Sequence, residues 1–472
     1  MKQGLTNLFG LLAVGASLNL CLSTAFAQGN SFARLAITNP TPAAGDCFGW
    51  SVAVVGNDRV LIGAYGDNTG AVRAGAAYLL SANGALLTTF TNPTPAASDY
   101  FGWSLTAVGS DRILIGAWGD DTGATDSGAA YLFSTSGVLI KTFTNPSPAA
   151  GDLFGISVSA VGADRVMIGT PYDNTGASGA GAAYLFSTDG AVLTTFTNPT
   201  PAVGDLFGSA VSAVGADRVL IGAFSDNTGA TDAGAAYLFS TNGSLLATFT
   251  NPTPAVRDYF GYSLAAVGVD QVLIGAYQDD TGTTDAGAAY LFSTNGTLLI
   301  TFTNPTPAVG ENFGWAVAAV GADRVLIGAS YDDAGTQGAG AAYLFSTDGT
   351  LLVTFTNPAP AANDVFGYSV AAVSPNCVLI GAPFDDTDAD NAGVVYLFSA
   401  SVPSLSIDYS APNTVAVSWP SPSTGWMLQE NTNGVASINW SNTPGMIQDD
   451  GTNKTFILNP PTGNRFYRLF KP

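Results

Sequence analysis

Histidine is absent from this 472-residue chain, and with it go imidazole general bases, histidine-bound metals and the Ser-His-Asp triad. Cysteine is nearly as scarce. Of the three present, Cys21 lies in an N-terminal apolar stretch, so only Cys47 and Cys377 belong to the body of the chain and no disulfide framework underlies the fold. Charged residues make up only 10%, yet hydrophobic ones reach 47%, which rules out a disordered polyelectrolyte. Past the N-terminus no apolar run is long enough to cross a bilayer. No helical stripe of useful length appears there either. What is plentiful is glycine, 56 residues of it, between short runs of Val, Leu, Ile, Phe and Tyr. That pattern is an all-β one, many short strands joined by tight turns.

The first 27 residues carry the marks of a secretory signal. Lys2 supplies a positive start, Leu8 to Leu22 an apolar stretch, and Ala25-Phe26-Ala27 a small-residue cleavage site before Gln28. Cys21 is preceded by Leu20, too bulky for lipid modification of the cysteine. The expected mature protein is therefore secreted, extracellular or in the cell envelope, with no membrane insertion once the signal is removed. Losing Lys2 takes the formal charge from −21 to −22. Such an acidic chain disfavours nucleic acid and anionic membranes as partners, since both are negative. Divalent cations or a basic partner are favoured instead.

One repeat dominates the rest. Phe-Gly recurs at Phe48, Phe101, Phe154, Phe207, Phe260, Phe313 and Phe366, always 53 residues apart. A glycine (Gly63 to Gly381) and an aspartate (Asp67 to Asp385) keep the same interval. Each unit holds four strand-like runs; in the first they are 50–55, 59–62, 76–80 and 85–90, separated by Gly-Asn-Asp, by Asp-Asn-Thr-Gly and by Ser-Ala-Asn-Gly turn chemistry. Asn-Pro-Thr-Pro ends the fourth, because proline has no ladder donor. Runs such as Val60-Leu61-Ile62 are apolar on both faces, as in strands covered on both sides. A four-stranded unit of this length is a propeller blade. The chain opens with a fourth-strand copy at residues 33–40 and closes the repeat with a third strand at Val394–Phe398. An open array would leave two unpaired edges. The offset predicts instead a seven-bladed β-propeller over residues 31–401, its ring closed by the N-terminal strand.

Phe366-Gly367 with Gly381-Ala382-Pro383 resembles the FG-GAP repeat of integrin α-subunit propellers and of many bacterial secreted and surface proteins. The resemblance recurs in every blade and implies a β-propeller used for binding or adhesion. Integrin-type repeats often place a D-x-D-x-D-G calcium loop between the first and second strands. Here that link is only Gly-x-Asp-Arg, as in Gly109-Ser110-Asp111-Arg112, so the family's usual metal loop is missing from its usual place. Residues 403–472 break the interval and read as a small C-terminal β-sandwich-like domain, with strands expected near 404–409, 414–419, 426–429 and 456–458.

In a four-stranded meander the 4→1 and 2→3 connections share one face. On it fall the Asp46, Asp99, Asp152, Asp205, Asp258, Glu311 and Asp364 series and the Asp67 series with its following Asn or Asp, a crown of acids. Two readings stand side by side: cation binding, since Ca²⁺ takes six to eight oxygens, or an Asx-turn cassette whose Asp accepts backbone N–H groups. Asp386, Asp388 and Asp390 alternate in the seventh blade and are the candidate Ca²⁺ ligands. The residue after each Phe-Gly varies, and Trp50, Trp103, Tyr262, Trp315 and Tyr368 are candidate ligand-binding aromatics near the central channel, against plain packing as the alternative. The Asp58-Arg59 pairs on the opposite face read as solvated turn partners. Cys47 and Cys377 are expected on opposite faces, out of disulfide reach.

The function these features suggest is a non-catalytic binding or adhesion propeller, monomeric, holding a protein or glycan at the cell surface. A lectin-like ring is one alternative. A carboxylate-dependent hydrolase or lyase using acids such as Asp279 and Asp280 is another, opposed by near-identical blades and by the absence of an acid/base pair with a defined gap.

Overall fold

A computed structural model describes residues 32–400, 405–410, 414–421, 426–432, 439–451, 453–458 and 465–470. The proposed signal segment lies outside the described residues. Seven four-stranded antiparallel sheets account for the repeats, and no helix occurs among the described residues. In the first blade the strands run Ser51–Val55, Arg59–Ala64, Ala76–Ser81 and Leu86–Thr91, each paired with the next in chain order. The seventh blade consists of Ser369–Ser374, Cys377–Ala382, Val394–Ala400 and, last, Phe32–Thr38. The final pair is in continuous antiparallel register from Phe32 opposite Ala400 to Thr38 opposite Val394. The ring is therefore closed as the offset predicts. Asn39 and Pro40 leave the strand, the proline for want of a donor.

The core lies between blades. Along the second strand, Leu61 faces blade two, beside Phe101, Ile113 and Phe133, while Val60 and Ile62 face blade seven, beside Leu379, Val395 and Leu397. This is why the strand is apolar on both faces. Phe101 meets Phe133 edge-on, ring centroids 6.1 Å apart at 88°, a geometry worth about 1 kcal/mol beyond area burial. The repeated glycine follows from the same packing. A Cβ on Gly116 would sit 2.0 Å from the carbonyl oxygen of Gly155 in the next blade. Gly102 takes φ +89°, and its own Cβ would come within 2.4 Å of the Ala76 carbonyl.

Hydrogen bonds tie the same seams. Ser51 Oγ donates to Gly102 O at 2.8 Å, and Ser104, Ser157 and Ser263 repeat the contact in their own blades. Ser369 donates to Gly49 O at 2.6 Å across the closing seam. Ala210 and Ala316 hold this position in blades four and six. On the opposite face, Arg59 sits 3.6 Å from Asp58, but it also donates to Ser110 O of the next blade at 2.6 Å. Arg112, Arg165 and Arg218 do likewise. The arginines read from sequence as solvated turn partners are thus links between blades. The pairing within the turn is secondary.

The C-terminal region forms two sheets. One joins Ser406–Ser410, Thr414–Pro420, Asn453–Leu458 and Ile447–Asp449; the other joins Ser441–Asn442, Met427–Asn431 and Phe466–Phe470. Val417, Trp419 and Phe456 from the first and Leu428 from the second share one buried cluster.

Candidate functional site

The residue following Phe-Gly opens the innermost strand, so seven such residues converge on the ring axis. Five are aromatic, and they touch in sequence around the axis. Trp103 lies 4.5 Å from Trp50, Trp50 4.4 Å from Tyr368, Tyr368 5.1 Å from Trp315, and Trp315 4.9 Å from Tyr262, centroid to centroid. All five candidate aromatics named from the sequence therefore form one arc spanning blades two, one, seven, six and five. Blades three and four carry Ile156 and Ser209 at this position and interrupt it.

A second tier surrounds the arc. Tyr65 packs on Trp50 and Trp103, Trp118 stacks on Tyr100 at 4.5 Å and 22°, and Tyr277 packs on Tyr262 and Trp315. Phe224 adds an edge to Tyr262 beside the interruption. These rings come from the 4→1 and 2→3 loops, positions that sequence reasoning passed over because they vary between blades. All are half-buried. The Trp118 indole N–H is left without a hydrogen-bond partner. Burial among these rings raises the Tyr262 and Tyr368 phenols and lifts Tyr277 to about 12, so all three are protonated donors at neutral pH.

Three of the arc rings, Trp103, Trp315 and Tyr368, also line an open recess of about 290 Å³ at the start of the inner strand of every blade. No charged side chain lines it.

In the acid crown the Asx-turn reading holds for the Asp67 series, as where Thr69 N donates to Asp67 Oδ1 and Thr281 N to Asp279 Oδ1. The crown's two main series are buried, not displayed. In the junction leading into blade five, Asn251 Nδ2 donates to Asp258 Oδ2 at 2.7 Å and to Asp279 Oδ2 at 2.8 Å, while Tyr290 Oη donates to Asp279 Oδ2 at 2.6 Å. Ala255 N donates to Asp258 Oδ2, and Thr281 N to Asp279 Oδ1. Asp279 thus makes the Asx-turn and also holds the tyrosine. Burial, above the neighbouring carboxylate, lifts Asp46, Asp99, Asp258 and Asp364 to about 6; Asp152, Asp205 and Glu311 are raised by the same cause. The Oδ1 atoms of Asp46, Asp152, Asp205 and Asp258 have no hydrogen-bond partner. Adjacent Asp280 points the other way, its Oδ1 accepting from Asp285 N at 3.0 Å, so Asp279 and Asp280 do not converge.

The candidate calcium residues take part in the same turn chemistry. Asp386 Oδ1 accepts from Asn391 N at 2.6 Å, and Asp390 Oδ1 from Asn391 Nδ2 at 3.0 Å. Asn68, Asn174 and Asn227 cap the equivalent N–H in their own blades, so the position needs an oxygen but no charge. Among the described residues no three His, Cys, Asp or Glu side chains are grouped to hold a metal ion, and Asp386, Asp388 and Asp390 do not fit that role. Cys47 and Cys377 are free thiols. Burial pushes both to about 11. Cys47 Sγ donates to Gly45 O and to Tyr65 Oη.

Known proteins place the fold. A family model for the FG-GAP repeat matches residues 36–80, 88–133, 140–186, 195–239, 245–292, 302–345 and 353–398, one match per blade and about two thirds of the chain together. The chain belongs to the FG-GAP repeat family. No curated protein matches it. Among solved structures it is similar to a chain in one described as "Crystal structure of BBS1N in complex with ARL6DN, soaked with lead", at 10% identity and TM-score 0.44, covering 79% of this chain and 97% of that one.

Proposed function

We propose that this FG-GAP propeller is a non-catalytic binding module, secreted or held at the cell surface, that takes its partner on the face carrying the aromatic arc. The contact of five rings from five blades, with a second tier around them, carries this reading. Partly buried aromatic side chains gathered from five blades at one end of the ring axis form a preorganised contact surface. Tryptophan and tyrosine supply large contact area at low entropic cost and are the residues on which binding energy concentrates. The absence of histidine and the division of Asp279 from Asp280 support a binding role over hydrolysis.

The test is capture of partners by the full-length ring from its own cell surface and medium, run beside Trp50→Ala and Trp315→Ala. Loss of the captured species in both variants, with the melting transition retained, supports the reading. Equal capture by all three proteins refutes it. A protein partner gives one copy per ring; a glycan bound at repeated subsites gives more than one.

A further inference from the structure

The fourth strand of each blade is the outer edge of its sheet. In each of blades one to five it opens with two adjacent aliphatic residues, each 40–51% exposed. They are Leu86 and Leu87 in the first, Leu139 and Ile140 in the second, and Leu298 and Leu299 in the fifth. A β-bulge puts them there. Thr88 pairs with Leu79 and Leu86 with Leu80, so Leu87 has no cross-strand partner; the shift recurs in blades one to six. Neighbouring rims touch: Thr88 Oγ1 donates to Thr135 O at 2.9 Å, and Thr194 Oγ1 to Thr241 O at 2.7 Å. Single exposed aliphatics are ordinary, but five register-related pairs in successive blades form a belt.

The belt ends at blade seven. There the closing strand carries Ala33 and Arg34 where blade one has Leu86 and Leu87, and its register has no bulge. An exposed cation is one of the devices that keep an edge strand from joining another chain. Blades one, three, four and five have no charge at all in the fourth strand, and no blade has an acid there.

Charge decides what can cover the belt. The chain carries a formal −21, so two copies repel wherever their acids meet. Asp58, Asp111 and Asp164 are exposed on one face of the ring, and Asp121, Asp280 and Asp386 on the other. Rings stacked face to face set acid against acid. Rim against rim, they bury aliphatic side chains with no acid from either strand between them. The bulge interrupts the outer ladder, so an added peptide strand fits less well than a second rim meeting it by side chains. A convex rim touches its copy over only part of the belt, so each contact falls short of the roughly 1,600 Å² of a standard interface and is weak. Five such rims on one ring let the contacts multiply.

We propose that copies of this chain associate side by side, in open-ended fashion, through the aliphatic rims of blades one to five, against the monomer expected from the sequence. Both faces of every ring stay uncovered, and the aromatic arc takes no part in the contact.

Sedimentation velocity of the full chain from Gln28, between about 1 and 100 µM, tests this. The sedimentation coefficient is expected to rise with concentration past that of a dimer. Salt is expected to raise it further, because screening removes the repulsion between acidic copies. The triple variant Leu87→Lys, Leu193→Lys, Leu246→Lys places a cation at the position that Arg34 holds in blade seven. It lowers the repulsion between copies, so any loss of association comes from the belt. Association is expected to weaken at least about tenfold. Its circular dichroism melt is expected within about 2 °C of the natural protein, since the three sites are exposed. A monomer at every concentration and salt, growth that stops at a dimer, or association that weakens as salt rises overturns the proposal. So does a triple variant that associates like the natural protein. Monomers that cosediment with phosphatidylcholine vesicles overturn it in favour of a lipid surface.

Discussion

Mild acid is expected to stabilise this ring, against the habit of acidic proteins. The perturbation is a pH change from 7 to 5, and the groups concerned are the buried carboxyls at the blade junctions. Asp46, Asp99, Asp258 and Asp364 titrate near 6 in the folded chain, above the 3.8 of a free aspartate, because burial disfavours the charge. Between those values the folded state binds more protons than the unfolded one, so stability rises as pH falls through 6 and is lost as pH climbs back through it. At about 1.4 kcal/mol per pH unit, each such group contributes about 1 kcal/mol between pH 7 and 5. The four sit in separate junctions and add, giving about 4 kcal/mol. For a ring of about 370 residues, unfolding entropy near 0.8 kcal/mol per kelvin turns this into a rise in Tm of about 5 °C. With no histidine in the chain, no imidazole titrates in the same window. Scanning calorimetry from pH 7.5 to 4.5 reads the slope. Asp258→Asn separates the junction from general charge repulsion, since the amide keeps the acceptor used by Asn251 and Ala255 and is neutral throughout. It is expected to flatten the slope by about a quarter, near 1 kcal/mol. A Tm that is flat or falls from pH 7 to 5, or an Asp258→Asn slope equal to that of the natural protein, would refute the argument.

Three further outcomes follow from the seams and turns. Gly116→Ala drives a methyl into the Gly155 carbonyl and is expected to cost about 2–3 kcal/mol, read as a lower melting transition. Ile37→Ala empties a buried position in the closing strand and is expected to cost about 2–4 kcal/mol, with hydrogen exchange rising first at Val394–Ala400; uniform exchange across all blades would contradict a seam-local effect. Asp386→Asn and chelation of calcium are both expected to leave Tm within about 1 °C, because asparagine performs the same cap in three other blades. A calcium-dependent rise of several degrees would restore the metal reading of Asp386, Asp388 and Asp390.

The number of blades and the closing offset were readable from sequence because both are properties of order along the chain. Phe-Gly counts the units, and the stray fourth strand at the start says which edge it must fill. Burial of the acids was not readable. Asp67 sits in a sequence that any exposed Asx-turn could have, and only the approach of Tyr78 Oη to Asp67 Oδ2, at 2.6 Å, turns the turn inward. Likewise Arg59 stands beside Asp58 in sequence, while its stronger contact is a carbonyl one blade away. The aromatic arc lay between these cases. Its members shared one repeat position and so one address, but whether they touch depends on the radius of the ring, which no single repeat specifies. The outer tier was lost altogether, since Tyr65, Trp118 and Tyr277 appear in only some units.

The closing strand also sets an order of events. Blades one to six each consist of consecutive residues, so each can pair internally as soon as its own stretch of chain exists. The seventh cannot. Phe32–Thr38 has no partner until Val394–Ala400 has been made, and Ser369 has no Gly49 carbonyl to meet until the circle bends round. For most of the time the chain is being made, its oldest strand is therefore an unpaired edge, Phe32, Leu35 and Ile37 included. The ring can close only once its seventh repeat has been made.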